Sequence, residues 1–182
     1  MKFLLFNKPY GVLCQFTSPD GRPCLKDYIK TPDVYAVGRL DFDSEGLLLL
    51  TDDGYYNHLI SDPKYKQFKT YWAQVEGIPS EEQLAQLRNG VLIKGHLTSP
   101  AQVIKLPDDL EIWPRPVPIR FRKSIPTTWL EIKISEGRNH QVRKMTAAVG
   151  LPCLRLVRTA IGPIQIGNLK SGEFIFVDKP LF

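Results

Sequence analysis

Short apolar runs closed off by turn residues dominate this chain, and they predict strands more often than helices. Lys2 to Phe6, Val34 to Val37 and Leu47 to Thr51 are runs of this kind, as expected of buried strands. Two further segments alternate instead. From Thr70 to Glu76, Tyr71, Ala73 and Val75 oppose Trp72, Gln74 and Glu76; from Thr128 to Ser135, Leu130, Ile132 and Ile134 oppose Trp129, Glu131 and Lys133. A period of two turns one set of each toward a core. Cys153 to Val157 and Glu173 to Val177 read the same way.

Two helices carry their own punctuation. Ser80 followed by Gln83 has the spacing of a capping box, Leu84 and Leu87 form an inward stripe, and Gly90 supplies a left-handed stop. The second helix is expected from about Asn139 to Val149, with Val142, Met145, Thr146 and Val149 on one side and Gly150 and Pro152 ending it. Asn139 and Arg143 then share another face, one turn apart. Strands outnumber helices without a periodic strand-helix-strand repeat, so the expected class is α+β, with a mixed, mostly antiparallel sheet flanked by helices and loops.

A chain of 182 residues with no Gly/Ser-rich or charged linker is expected to form a single domain over 1–182, with room for two lobes inside it. Hydrophobic residues at 43% and charged residues at 24% fit a soluble globular protein. No apolar run approaches the roughly 20 residues of a membrane span, and Met1 to Phe6 breaks off at Asn7-Lys8-Pro9, so no membrane partner is expected and the cytoplasm is the default location. Cys14, Cys24 and Cys153 are odd in number and widely spaced, which argues against a disulfide framework or a zinc site.

The net charge of +5 favours a polyanionic partner, and its distribution sharpens that expectation. Lys133, Arg138, Arg143, Lys144, Arg155 and Arg158 stand against a single acid, Glu136, between positions 133 and 158. A second basic stretch interleaves Arg115, Arg120, Arg122 and Lys123 with Pro114, Pro116 and Pro118, reading as an extended surface arm.

Chemistry concentrates in the polar loop Gly38-Arg39-Leu40-Asp41-Phe42-Asp43-Ser44-Glu45-Gly46, set between two predicted buried strands. Its acids superficially resemble a calcium loop. The match fails on context, because no helix precedes the loop and Leu47 to Leu50 run apolar where ligands should stand, so no metal is assigned. A carboxylate here, an aromatic at Tyr71 and a guanidinium at the start of the second helix are the groups that an enzyme acting on a nucleobase needs.

Three motifs occur in order: Arg39-Leu40-Asp41 within Gly-Arg-Leu-Asp-x-x-Ser-Glu-Gly-Leu-Leu, then Lys69-x-Tyr71, then Gly137-Arg138-x-His140-Gln141-Val142-Arg143-Lys144-Met145. In this combination the chain resembles the RsuA/RluA-type pseudouridine synthases over nearly its whole length. The resemblance implies isomerisation of a uridine already within ribosomal RNA, 23S RNA in the first instance, by an enzyme acting as a monomer without metal or organic cofactor. It implies that Asp41 is the catalytic carboxylate, either attacking the nucleotide or removing a sugar proton. Tyr71 would stack on the flipped base, Arg143 would pair with Asp41, and Arg39 would fill the space the base vacates. Arg138, Lys144, Arg155 and Arg158 would bind phosphates.

Some residues carry a plainer reading. Asp43 and Glu45 are expected to brace the loop, His140 to make a structural hydrogen bond, and Trp72, Trp113 and Trp129 to pack. Leu156 fits a buried strand face, while the resemblance adds contact with the target base from the side opposite Tyr71. Because Lys2 to Asn7 already reads as the first strand of the catalytic fold, no S4 RNA-binding module is expected ahead of it. Three alternatives remain open at this stage: a non-catalytic RNA-binding protein on the same scaffold, a synthase for 16S or transfer RNA, and a metal-dependent nuclease using Asp41, Asp43 and Glu45.

Overall fold

The computed structural model describes residues 1–65, 67–180 and 182. In chain order its elements are β1 (Phe3–Lys8), β2 (Tyr35–Val37), β3 (Glu45–Thr51), α1 (Gly54–Ser61), β4 (Lys69–Glu76), α2 (Glu81–Asn89), β5 (Leu92–Ile93), β6 (His96–Leu97), β7 (Gln102–Lys105), β8 (Thr127–Ile134), α3 (Gln141–Ala148), β9 (Cys153–Ile161), β10 (Ile164–Gln165) and β11 (Phe174–Phe176). The class is α+β, and the strand pairs with assigned register are antiparallel. The chain divides into two compact units, Met1–Gln67 with Arg158–Phe182, and Phe68–Val157.

In the first unit, β1 lies between β11 and β3, and β2 pairs with the far half of β3. The apolar run that predicts β3 is buried on both faces, with Leu47, Leu48, Leu49 and Leu50 all fully inaccessible. Each such leucine contributes roughly 1.5–3 kcal/mol of burial. Leu47 and Leu49 join Phe3, Leu5, Val37 and Ile161 in one cluster, which α1 covers through Tyr56 and Ile60. The sequence pattern did not predict α1. Its segment begins at a glycine and holds few strong helix formers, and what starts it is the Asp53 cap, which accepts a hydrogen bond from Tyr55 N at 2.9 Å.

In the second unit, β8 pairs with β4 on one side and β7 on the other. Register places Tyr71 opposite Ile132 and Ala73 opposite Leu130, so the alternation seen in sequence becomes one continuous apolar face. α2 and α3 cover that face with Leu84, Leu87, Val142 and Met145. The capping box forms as expected, Gln83 N to Ser80 Oγ at 3.2 Å and Ser80 N to Gln83 Oε1 at 2.9 Å. β7 and the two-residue hairpin strands β5 and β6 are additions to the expected set.

Gly46 fixes a close backbone approach in the first unit. It lies opposite Lys8 in the β1–β3 ladder with φ +106°, and a Cβ there would stand 2.2 Å from the carbonyl oxygen of Arg158. Gly46→Ala therefore forces main chain to separate from main chain and also strains φ. Gly21 has φ +76° but open space around its Cβ position, so Gly21→Ala incurs only the left-handed backbone penalty of about 1–2 kcal/mol. Urea unfolding should show Gly46→Ala losing more than twice the stability that Gly21→Ala loses; equal losses would mean that the approach is not tight.

Candidate active site

The Arg39–Glu45 loop is short and held from several directions. Ser44 N donates to Asp41 O at 3.0 Å, closing a turn around Phe42 and Asp43. Gly11 N donates to Phe42 O at 2.9 Å, tying the loop to the segment that follows β1. The Arg22 guanidinium lies 5.2 Å over the Phe42 ring. The Asp41 and Asp43 side chains are half-buried, Glu45 is buried and Arg39 is exposed. The strand β3 that follows is solid core, so the loop is anchored where the carboxylate at Asp41 emerges.

Sequence reading passed over Lys8. It lies within Asn7-Lys8-Pro9 at the end of β1, with no solvent exposure, and its Nζ donates to Pro9 O and Val12 O, both at 2.8 Å. Burial lowers its pKa to about 8, while the nearby charges of Cys14, Glu45, Asp43 and Asp41 oppose that fall. The first unit thus assembles one buried ammonium with the carboxylates of Asp41, Asp43 and Glu45. The sequence signal for it was slight: a lysine at the end of a strand whose other residues, Asn7 apart, are apolar.

In the second unit Tyr71 is half-buried on β4 against the core cluster that includes Leu156, itself 5% exposed. Arg143 lies on α3, half-buried, with Nη1 donating to Cys153 O at 3.4 Å. The loop before α3 is organised by Glu136. Its carboxylate accepts from Ser99 N and Ser99 Oγ, both at 3.1 Å, and from Gln141 Nε2 at 2.8 Å, with His96 Nε2 at 3.5 Å. Burial alone would raise the Glu136 pKa, but these hydrogen bonds outweigh it and hold the carboxyl below its ordinary range. Gln141 in turn accepts from Arg138 N at 3.2 Å, so the chain enters α3 in a fixed conformation although its cap, His140, has φ +52° and no capping side chain.

The expected phosphate contacts divide by burial. Arg138 is exposed, and Lys144 is half-buried with Nζ on Asn139 O at 2.8 Å. Arg155 and Arg158 are only 6% and 4% exposed. Arg155 donates to Trp113 O at 2.9 Å and lies 5.9 Å from the Trp129 ring centre, while Arg158 Nε donates to Leu47 O at 2.9 Å. Main-chain carbonyls hold these two guanidiniums, so burial weighs against the phosphate role expected for them. Alternation on β9 could not reveal this, because charged residues in a strand ordinarily mark its solvent face.

Among the described residues, no group of three or more His, Cys, Asp or Glu side chains could hold a metal ion, and no helix is long and apolar enough to cross a membrane. Comparison with known proteins gives the family. A model described as RNA pseudouridylate synthase matches residues 2–148. A ribosomal large subunit pseudouridine synthase E of Vibrio parahaemolyticus is 54% identical over 173 residues, covering 95% of this chain and 72% of the relative. One from Xanthomonas axonopodis pv. citri is 56% identical over 168 residues, covering 91% and 88%. Among solved structures, a crystal structure of a pseudouridylate synthase matches with a TM-score of 0.79 at 32% identity, covering 97% of this chain and 70% of that one. With its family model matched over most of its length, and relatives of this identity at both sequence and structure level, the chain belongs to the RNA pseudouridylate synthase family.

Proposed function

We propose that this protein isomerises one uridine of 23S ribosomal RNA to pseudouridine, with Asp41 as the catalytic carboxylate. The observation that carries the reading is identity above 50% to synthases named for the large ribosomal subunit, over nine-tenths or more of this chain. The reaction breaks the bond between C1′ and N1 and forms one between C1′ and C5; C5 gives up a proton and N1 gains one, so no co-reactant is required. A carboxylate suits either opening step, attack on the nucleotide or removal of a sugar proton.

The remaining side chains take roles their chemistry supports. Tyr71 offers a ring face to a uracil turned out of the RNA, with Leu156 as the apolar surface from the other side. Arg143 supplies the guanidinium that complements the charge of the catalytic carboxylate, and Arg39 props open the place the base leaves. Exposed Arg138 and half-buried Lys144 bind phosphates.

The functional test is pseudouridine mapping across all RNA from cells with and without the gene. One 23S site should disappear and return with the wild-type gene but not with Asp41→Ala. Loss of a 16S or transfer-RNA site instead would overturn the substrate assignment, and rescue by Asp41→Ala would overturn the mechanism. Purified Asp41→Ala should unfold within about 1 kcal/mol of wild type, because the turn at Asp41 is closed through its main-chain carbonyl.

At Tyr71, Phe keeps the stacking surface and Leu removes it. Stacking on a base contributes about 1–3 kcal/mol, so single-turnover rates at limiting enzyme should fall for Tyr71→Leu by roughly tenfold or more beyond Tyr71→Phe. Equal rates for the two variants would leave the ring with no stacking role.

Lys8 gives stability a pH signature. Its folded pKa of about 8 lies below the ordinary 10.5, so between these values the unfolded chain keeps a proton that the folded chain has released. Stability attributable to Lys8 therefore rises with pH across that window, by on the order of 3 kcal/mol in full, and the penalty of the buried charge is wholly present below pH 8. In urea unfolding from pH 7 to 10, wild type should gain stability relative to Lys8→Met as pH rises; parallel profiles would show that the ammonium is not desolvated.

A further inference from the structure

Phe121 is 82% exposed, the most open large apolar side chain among the described residues. It belongs to the proline-rich arm of the second unit, where Arg120, Arg122 and Lys123 beside it are also exposed. No acid occurs from Ile112 to Pro126, while Arg115, Arg120, Arg122 and Lys123 all do.

The arm is fastened at both ends. Arg155 donates to Trp113 O at 2.9 Å, and Arg115 reaches Leu154 O at 3.5 Å and also bonds Val117 O. At the far end Gly77 N donates to Pro126 O at 2.7 Å, Ile125 N donates to Arg122 O at 3.1 Å, and Arg122 Nη1 stands 3.3 Å from Glu76. Pro114, Pro116 and Pro118 limit the freedom of the span between. Residues 119–127 border a groove of about 500 Å³ whose other lining residues are Gln74 and Glu76.

We propose that Phe121 is a stacking platform for an unpaired base of the RNA outside the isomerised uridine, with the neighbouring cations on the flanking phosphates. This rests on the RNA-modifying function proposed above and names a second point of contact for it. An open aromatic ring with Arg120, Arg122 and Lys123 beside it suits a nucleotide: the ring takes the base face while Arg120 and Lys123 take the backbone charge. A protein partner suits it less, because charge is depleted at the core of a protein interface and this ring is flanked by cations, and a membrane would require more than one ring. The base must be unpaired, because bases inside an A-form duplex offer no free face. Holding the arm in place beforehand lowers the entropic cost of binding.

The test compares Phe121→Leu, Phe121→Trp and Arg120→Gln with wild type, using a 23S RNA transcript in single-turnover isomerisation and, in parallel, in filter binding. Phe121→Leu should raise the half-saturating enzyme concentration about five- to a hundredfold and leave the maximal rate unchanged. Phe121→Trp should stay within about twofold of wild type, since an indole stacks at least as well. The salt dependence should remain that of wild type in Phe121→Leu and lose about one unit of slope in Arg120→Gln. An open side chain makes no core contacts, so all variants should melt with wild type. Wild-type affinity in Phe121→Leu, or the same loss in Phe121→Trp as in Phe121→Leu, would overturn the platform. A wild-type enzyme that forms no pseudouridine would overturn the function instead, and filter binding would still decide the role of Phe121.

Discussion

A lysine ammonium with no access to water is the constraint around which the first unit is arranged. Removing a charge from water costs several kcal/mol even after relaxation, and only hydrogen bonds and opposite charge offset that cost. Lys8 obtains both: two carbonyls at 2.8 Å, and the carboxylates of a loop on the adjoining strand connection. The carbonyls belong to Pro9 and Val12, so the chain after β1 must turn back over the lysine, and the same segment then presents Gly11 N to Phe42 O. One buried charge therefore sets the path of two segments and places the acidic loop.

The second unit solves a similar problem with the opposite sign. Glu136 is the acid around which the approach to α3 is organised, and Ser99 and Gln141 supply its donors. That hub fixes the approach to the left-handed backbone at His140. Each unit thus carries one charged side chain whose satisfaction fixes a functional loop. Neither of the two is a residue to which the reaction assigns chemistry.

Legibility from sequence followed from how local each signal was. β3 and α2 could be read because a continuous leucine run and a Ser-x-x-Gln cap are statements about neighbours in the chain. The end of α3 was legible for the same reason, and Gly150 does take φ +82°. β7 escaped because four residues of one-sided burial make too short a pattern. The motif order was enough to reach the family, which the family match bears out. The burial of Lys8, Arg155 and Arg158 was not legible, because their partners are main-chain carbonyls, which every residue type possesses. Lysine and arginine look alike in a sequence whether they end in water or on a peptide oxygen.

The way the chain divides has a consequence for its synthesis. Phe68–Val157 is continuous in sequence, whereas the first unit is assembled from Met1–Gln67 and Arg158–Phe182. A ribosome releases the middle portion whole while the first unit still lacks its last strands, including β11, whose partner β1 precedes that middle portion. Closing that contact across the whole middle portion carries a large loop entropy and is a slow class of event. The nascent chain therefore has a built-in order, in which the unit bearing Tyr71 and Arg143 can mature first and the one bearing Asp41 must wait for β11. A copy interrupted before β11 carries the acidic loop on a sheet that still lacks its edge strand.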